Sequence, residues 1–348
     1  MGFYDGTKLL SLKDINGNRP EIYICTSNRS AGKTTYFNRW AVNGFLKRGE
    51  QFCLVYRHKY ELEQVPEKFF KDIGSLFFND YAMTAKTNGG GSFVDLFLAV
   101  GEQAPIHCGY AVSLNSADQL KKFSHLLSDT KRMIFDEFQS ETNTYAAHEV
   151  QKLISIHTSI ARGQGQRSRY VPLVMISNPV SILNPYYTEL GISSRLDNKT
   201  RFLRGDGFVL EQGYNESAAE SLKQSAFNRA FSGSDYMPYN LEGVYLNDVT
   251  SFVEKLDGFN QYVATFKYGN KEFAIREYTN LGLMYCDRRV DKTYPVRFCL
   301  TTNDHNINYV MLQHCGFLIR QWRELFSKGA FRFYDLECKQ AIITALSL

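Results

Sequence analysis

Eight consecutive residues, Ser27, Asn28, Arg29, Ser30, Ala31, Gly32, Lys33 and Thr34, carry the sharpest chemical signal in the chain. They fit the G-x-x-x-x-G-K-[ST] pattern of a phosphate-wrapping loop, with serine in place of the first glycine. Small residues let backbone N–H groups curl around β- and γ-phosphate oxygens, and the N-terminus of the next helix adds partial positive charge. Lys33 supplies a full charge, the Thr34 hydroxyl is suited to Mg²⁺, and Thr35 follows in the same turn. The chemistry implied is binding of ATP with Mg²⁺. A chance G-K-T at a helix start is common; the setting separates this one, with the apolar run EIYICT before it and an amphipathic run after it.

A second constellation is Arg132-Met133-Ile134-Phe135-Asp136-Glu137, an apolar strand pattern ending in two acids. Adjacent strand residues point to opposite sides, so the acids can divide two tasks. Asp136 is the candidate for the Mg²⁺ shell and Glu137 for polarising an attacking water, an arrangement that favours a hydrolase over a kinase. The run PLVMIS leads into Ser177-Asn178-Pro179, where Ser177 and Asn178 are candidates to sense a γ-phosphate, or else form a cap or turn before the proline. Arg162 begins a basic run with Arg167 and Arg169. It is placed either to reach a neighbouring subunit's γ-phosphate or to complement a helix C-terminal dipole.

The elements that must position these residues alternate short apolar and longer amphipathic runs, the rhythm of β-α units around a largely parallel sheet. Strands are predicted at EIYICT, FCLVYR, RMIFD and PLVMIS, with helices over 33–47, 61–71 and 146–161. Asn88-Gly89-Gly90-Gly91 predicts a tight turn joining two added antiparallel strands. From 206 to 247 glycine, serine and tyrosine dominate around one short helix over 216–231, the profile of a linker. Beyond it three strands follow closely (YVATFKYG, KEFAIREY, LGLMYCD), then VRFCL, a helix over 308–327, FRFYD and a last helix. Strands before helices predict a separate α+β domain. The expected domains are therefore 1–205, a linker 206–247, and 248–348.

Composition sets bounds. The 348 residues are 44% apolar, enough for real cores, and no apolar run is long enough to cross a bilayer. The N-terminus lacks a signal-peptide pattern, so a soluble intracellular protein is expected. Seven scattered cysteines without a C-x-x-C pair exclude a zinc ribbon or disulfide framework and read as small apolar residues. A net charge of +4 is too mild to declare a nucleic-acid binder, so any DNA contact must be local.

With these pieces in place the chain resembles the DNA-packaging ATPases of phi29-like podoviruses, small relatives of the large terminase subunits within the additional-strand P-loop class. The resemblance covers nearly the whole chain, through SNRSAGKT, GEQFCLVYRHKYEL, MIFDEF, EVQKLISIHTSIAR, MISNPVSILNPYY, FNRAFSGSDY, GLMYCD and LTTND in order. It implies nucleotide and Mg²⁺ roles for Lys33 and Thr34, the second-motif acid at Asp136, the catalytic glutamate at Glu137 and a trans arginine finger at Arg162. It makes Arg29 an expected loop residue and places Arg57 and Lys59 towards a neighbouring subunit. It further implies a homomeric ring, five-membered by resemblance, acting on double-stranded DNA at a portal in the host cytoplasm, docked on the procapsid; some relatives add a packaging RNA.

The family's C-terminal domain is similar to a ribonuclease-H-type nuclease that has lost its acids. A working nuclease needs acids converging on two metals, one of them in mid first strand. YVATFKYG has none and Asp287 alone ends the third strand, so binding rather than cutting is expected. Packaging must tolerate any sequence, so DNA contacts should be to phosphates. Lys121 and Lys122, before the acid-bearing strand, are the pore candidates, against a solvated surface. Two rivals stand beside the motor: a full terminase that also cuts, and a nucleotide-switched assembly protein.

Overall fold

The computed structural model describes residues 4–123, 125–142, 144–162, 168–193, 195–196, 200–232 and 251–346. The chain divides into two compact units, residues 1–190 with 196–247, and residues 191–195 with 248–348.

In the first unit the apolar runs become strands buried on both faces: β1 (Ile22–Ser27), β2 (Gln51–Tyr56), β6 (Thr130–Asp136) and β7 (Leu173–Ser177). Parallel strands covered by helices have no solvent face, which is why these runs are almost continuously apolar. β3 (Tyr81–Asn88), β4 (Phe93–Val100), β5 (Ile106–Ser113), β8 (Phe202–Arg204) and β9 (Phe208–Gly213) complete a nine-stranded sheet in the order β3-β4-β5-β2-β6-β7-β1-β9-β8. The strands from β5 to β9 in that order are parallel. β3, β4 and β8 pair antiparallel at the margins. One relationship decides the class: β7 lies between the loop strand β1 and the acid strand β6, pairing with both. That is the intervening strand of the additional-strand P-loop fold.

The helix Lys33–Arg48 packs Phe37, Ala41 and Val42 into the core, the i, i+4 spacing of one face. It stops at Gly49, whose left-handed backbone lets its own N–H donate to the Phe45 carbonyl (2.7 Å) and the Glu50 N–H to the Gly44 carbonyl (3.3 Å). Other expectations shift. The predicted helix over 61–71 breaks into a 3-10 segment Lys59–Gln64 and helices Val65–Phe69 and Lys71–Phe77, because Pro66 lacks the N–H a continuing turn needs. The helix predicted from 146 begins at Glu149, after His148 at φ 55°. The one predicted over 216–231 splits at Ser225, whose extended backbone and side chain cap the second piece. The expected linker from 206 begins too early: β9 pairs with β1 along its length, and helices Glu216–Gln224 and Ala226–Ala230 belong to the first unit. Residues 233–247 of that linker lie outside the described residues.

The second unit carries β10 (Gln261–Tyr268), β11 (Lys271–Tyr278), β12 (Leu283–Asp287), β13 (Arg297–Cys299), β14 (Val310–Met311) and β15 (Phe331–Phe333). Their order is β14-β13-β10-β11-β12-β15. β10, β11 and β12 are antiparallel in succession, and β13 and β14 add parallel to β10 on its far side, the ribonuclease-H arrangement. Alternate residues Ala264, Phe266, Phe273, Ile275, Met284 and Cys286 form one core with Ile319 and Trp322 of helix Gly316–Ser327 and Ala341 and Ile342 of helix Leu336–Leu346. The helix predicted from 308 starts only at Gly316, since Val310 and Met311 pair with β13 first.

Six of the seven cysteines are buried, and all are free thiols. Among the described residues no helix is long and apolar enough to cross a membrane.

Candidate active site

The sheet order brings the ends of β1, β6 and β7 together at one edge, where ligands of open α/β sheets bind. At the end of β1, Ser27 is still a strand residue in register with Gly213, so the position tolerates a side chain. The loop turns through left-handed backbone at Ser30 (φ 58°) and Gly32 (φ 91°) before the helix begins at Lys33. For Ser30 this conformation costs about 1 kcal/mol relative to ordinary backbone. The Lys33 ammonium is buried and donates to the Ser27 carbonyl (3.2 Å), the Asn28 carbonyl (3.5 Å) and Asn178 Oδ1 (2.8 Å). Burial pushes its pKa down, opposed by charges that include Asp136.

The Asn28 side chain is fully buried and bound to Asn215, accepting from Asn215 N–H (2.9 Å) and donating to Asn215 O (3.1 Å). Asn215 in turn caps helix Glu216–Gln224 and donates to the Ala31 carbonyl (3.4 Å). The Asn28 amide thus fastens the loop to the segment after β9. Arg29 forms an ion pair with Glu141, both side chains half-exposed.

Asp136 ends β6 beside the loop; burial raises its pKa, opposed first by the Lys33 charge and then by the Thr34 hydroxyl. Glu137 has left the strand, with φ 55°, a backbone conformation that a glutamate holds only where its surroundings impose it. Desolvation and then the neighbouring carboxylates of Asp136, Glu141 and Glu61 raise its pKa. A cavity of about 360 Å³ is lined by Arg29, Glu137, Gln139, Glu141, Ser177 and Asn178, among others. Lys33 reaches this cavity through its bond to Asn178, Glu137 and Ser177 line it, and the buried Ser177 Oγ has no hydrogen-bond partner among the described residues. Thr34 with Asp136 offers the oxygen donors that suit Mg²⁺.

The residues 2–346 match the family model described as Podovirus DNA encapsidation protein (Gp16). The chain belongs to this family. It is 27% identical over 335 residues to the DNA packaging protein of Bacillus phage phi29, covering 95% of this chain and 93% of that protein. To the DNA packaging protein of Bacillus phage B103 it is 25% identical, over 88% of this chain and 90% of that one. In fold it is similar to a chain of the bacteriophage phi-29 viral genome packaging motor assembly, with TM-score 0.69, 24% identity and coverage of 99% and 97%. A chain of the phi-28 gp11 DNA packaging motor gives TM-score 0.58 at 16% identity, covering 99% and 98%.

In this member of the DNA encapsidation family Arg57 does not lie at a surface. It is buried, its Nε 3.1 Å from both Glu149 carboxylate oxygens, with Nη1 donating to Glu137 O (3.2 Å) and Nη2 to Phe138 O (2.6 Å). The expected interface residue is instead internal scaffolding for the acid loop. Lys59 is exposed and donates to Gly90 O (3.3 Å) on the β3–β4 turn. Arg162 is exposed at the end of helix Glu149–Ala161. That helix rises about 20 Å from Glu149, so Arg162 stands a helix length from the Glu137 loop of its own chain. The capping alternative is taken by Arg169, whose Nη2 donates to Ile160 O, while Arg167 lies outside the described residues. Lys121 and Lys122 are exposed on a short 3-10 turn, Lys121 paired with Asp118 at 3.0 Å.

Three contributors carry no motif signal in the sequence: Glu149, Asn215 and Gln139. The partners of Glu149 and Asn215 are 92 and 187 positions away. Gln139 lies just past the acid pair. It is buried, and its Oε1 accepts from Val180 N–H (3.0 Å) and Ser181 N–H (2.9 Å).

Proposed function

We propose that this chain is the ATP-hydrolysing subunit of a homomeric ring, five-membered as in the resemblance, that drives double-stranded DNA through a portal into a procapsid. The reading is carried by the hydrogen bond from Lys33 to Asn178, with Asn178 and Glu137 on one cavity and Asp136, which Lys33 opposes electrostatically, next to Glu137. Lys33 exchanges backbone carbonyls for phosphate oxygens. Thr34 and Asp136 would hold Mg²⁺, which when bound neutralises charge on the phosphates. Glu137 accepts a proton from the attacking water, Asn178 and Ser177 report the γ-phosphate, and Arg29 exchanges Glu141 for it. Arg162 reaches the neighbouring subunit's site, in keeping with its exposure and its distance from its own. Coupling of hydrolysis to translocation, the portal as partner, a possible role for packaging RNA and a place in the host cytoplasm docked on the procapsid belong to this reading through the family.

The terminase that also cuts is disfavoured by the second unit. Mid-strand β10 presents Ala264, Thr265 and Phe266 where a nuclease acid would stand. Asp287 is buried and neutralised by Arg276 (3.1 Å) and Arg289 (2.8 Å). Asp304, also buried, is committed to the N–H groups of Gly269 (3.2 Å) and Asn270 (3.3 Å). Among the described residues no group of three His, Cys, Asp or Glu side chains is set to hold a metal. The test is ATP hydrolysis by the purified chain with and without DNA, alongside its mass in solution. DNA-stimulated turnover by a ring is expected; a monomer whose nucleotide is bound but never turned over would favour the switch protein.

A further inference from the structure

Gln139 stands two residues beyond the proposed base and has one end used and one end idle. Its Oε1 receives two backbone N–H groups, from Val180 and Ser181, in the segment after Ser177-Asn178. Two donors on one atom fix the amide orientation, because the opposite flip would set NH₂ against N–H. The end left over, Nε2, is a donor. It is buried and has no hydrogen-bond partner among the described residues, although Gln139 lines the cavity shared by Arg29, Glu137 and Ser177. A buried unsatisfied donor is costly, and such groups persist where a ligand completes them. Ser177 Oγ on this cavity is also buried and without a hydrogen-bond partner among the described residues.

We infer that Gln139 is a γ-phosphate ligand: its Nε2 donates to a γ-phosphoryl oxygen while its Oε1 holds the 180–181 backbone, joining the acid loop and the sensor strand end through one side chain. The inference rests on the ATP-site reading above and adds a donor to it. An acceptor at the γ position satisfies Nε2; ADP, lacking that phosphoryl group, does not. Gln139 therefore contributes to ATP affinity and turnover and leaves ADP affinity alone.

Gln139→Glu separates this from a purely structural clamp. Glutamate keeps acceptor oxygens for Val180 and Ser181 but loses the donor and sets a negative charge against the phosphate. In the full-length chain, a non-hydrolysable ATP analogue and ADP are titrated and turnover is measured. Expected are unchanged ADP affinity and a fall in turnover of about 100-fold, the effect of losing one preorganised donor, with weakened analogue binding. Gln139→Met, which removes both ends, is expected to weaken the analogue as well and also to lower the melting temperature. Wild-type turnover and an unchanged ratio of analogue to ADP affinity in Q139E, with damage confined to Q139M, would overturn the inference and leave Gln139 a clamp. A wild-type chain that binds neither nucleotide would overturn the underlying site reading instead.

Discussion

Arg57 Nη1 donates to the backbone carbonyl of Glu137 at 3.2 Å, while its Nε faces both oxygens of Glu149 at 3.1 Å. One buried guanidinium thereby pins the left-handed backbone of Glu137 and the first turn of the helix that ends at Arg162. A planar fork is needed to meet carboxylate and carbonyls together, which a lysine cannot do. Arg57→Lys should lower kcat about 10-fold or more by loosening the base, with KM for ATP little changed. Arg57→Ala should in addition destabilise the fold by about 3 kcal/mol, since Glu149 is left buried without its partner. Steady-state kinetics and thermal melts read the two effects separately; a normal kcat in R57K would show that the fork has no role in positioning Glu137.

Glu137 is exposed to the solvent-open cavity, its pKa is raised by partial desolvation and then by neighbouring carboxylates, and a base works only when deprotonated. Turnover should therefore be full well above the raised pKa and fall as pH drops through it, at higher pH than an ordinary glutamate would give. The kcat–pH profile of the wild type measures this. An acid limb at or below the ordinary glutamate value would refute the desolvated base.

Much of this was legible in the sequence where one residue run carries both fold and chemistry. β1 with Ser27 to Thr34 and β6 with Asp136 and Glu137 spell buried strand and functional end together. β7 was equally readable, but its place between them is a pairing property that periodicity does not encode. β5 escaped because its run is broken by Gly109, which must be glycine: a Cβ there would come within 2.2 Å of the Phe52 carbonyl on β2. The burial of Arg57 was not legible, because its partner Glu149 is far away in sequence, and the same holds for the bond of Asn28 to Asn215.

Arg162 is assigned to the neighbour's site, so two defective chains should complement each other. Glu137→Gln and Arg162→Ala subunits, each inactive alone, are expected to regain hydrolysis when mixed, because some interfaces pair an intact Glu137 with an intact Arg162. Mixtures inactive at every ratio would speak against the trans finger.

Lys121 and Lys122 are exposed, with only the surface pair to Asp118 holding Lys121. Such a pair is weak and yields readily to a phosphate. Replacing both with alanine should weaken DNA binding and make the plot of log affinity against log salt shallower by about 2, without loss of basal hydrolysis. An unchanged slope would return these lysines to plain solvated surface.

Asp287 is held by two arginines, which argues against a metal site in the second unit. Incubation of DNA with the purified chain and Mn²⁺ should give no cleavage. Cutting that disappears on Asp287→Asn would restore the terminase rival.

The most direct test of ATP-driven packaging is DNA protection from nuclease inside procapsids, measured for wild type and Glu137→Gln with ATP. Wild type should protect full-length DNA as ATP is consumed, and E137Q should bind ATP yet neither hydrolyse it nor protect DNA. Wild-type levels of protected DNA with E137Q would contradict the account.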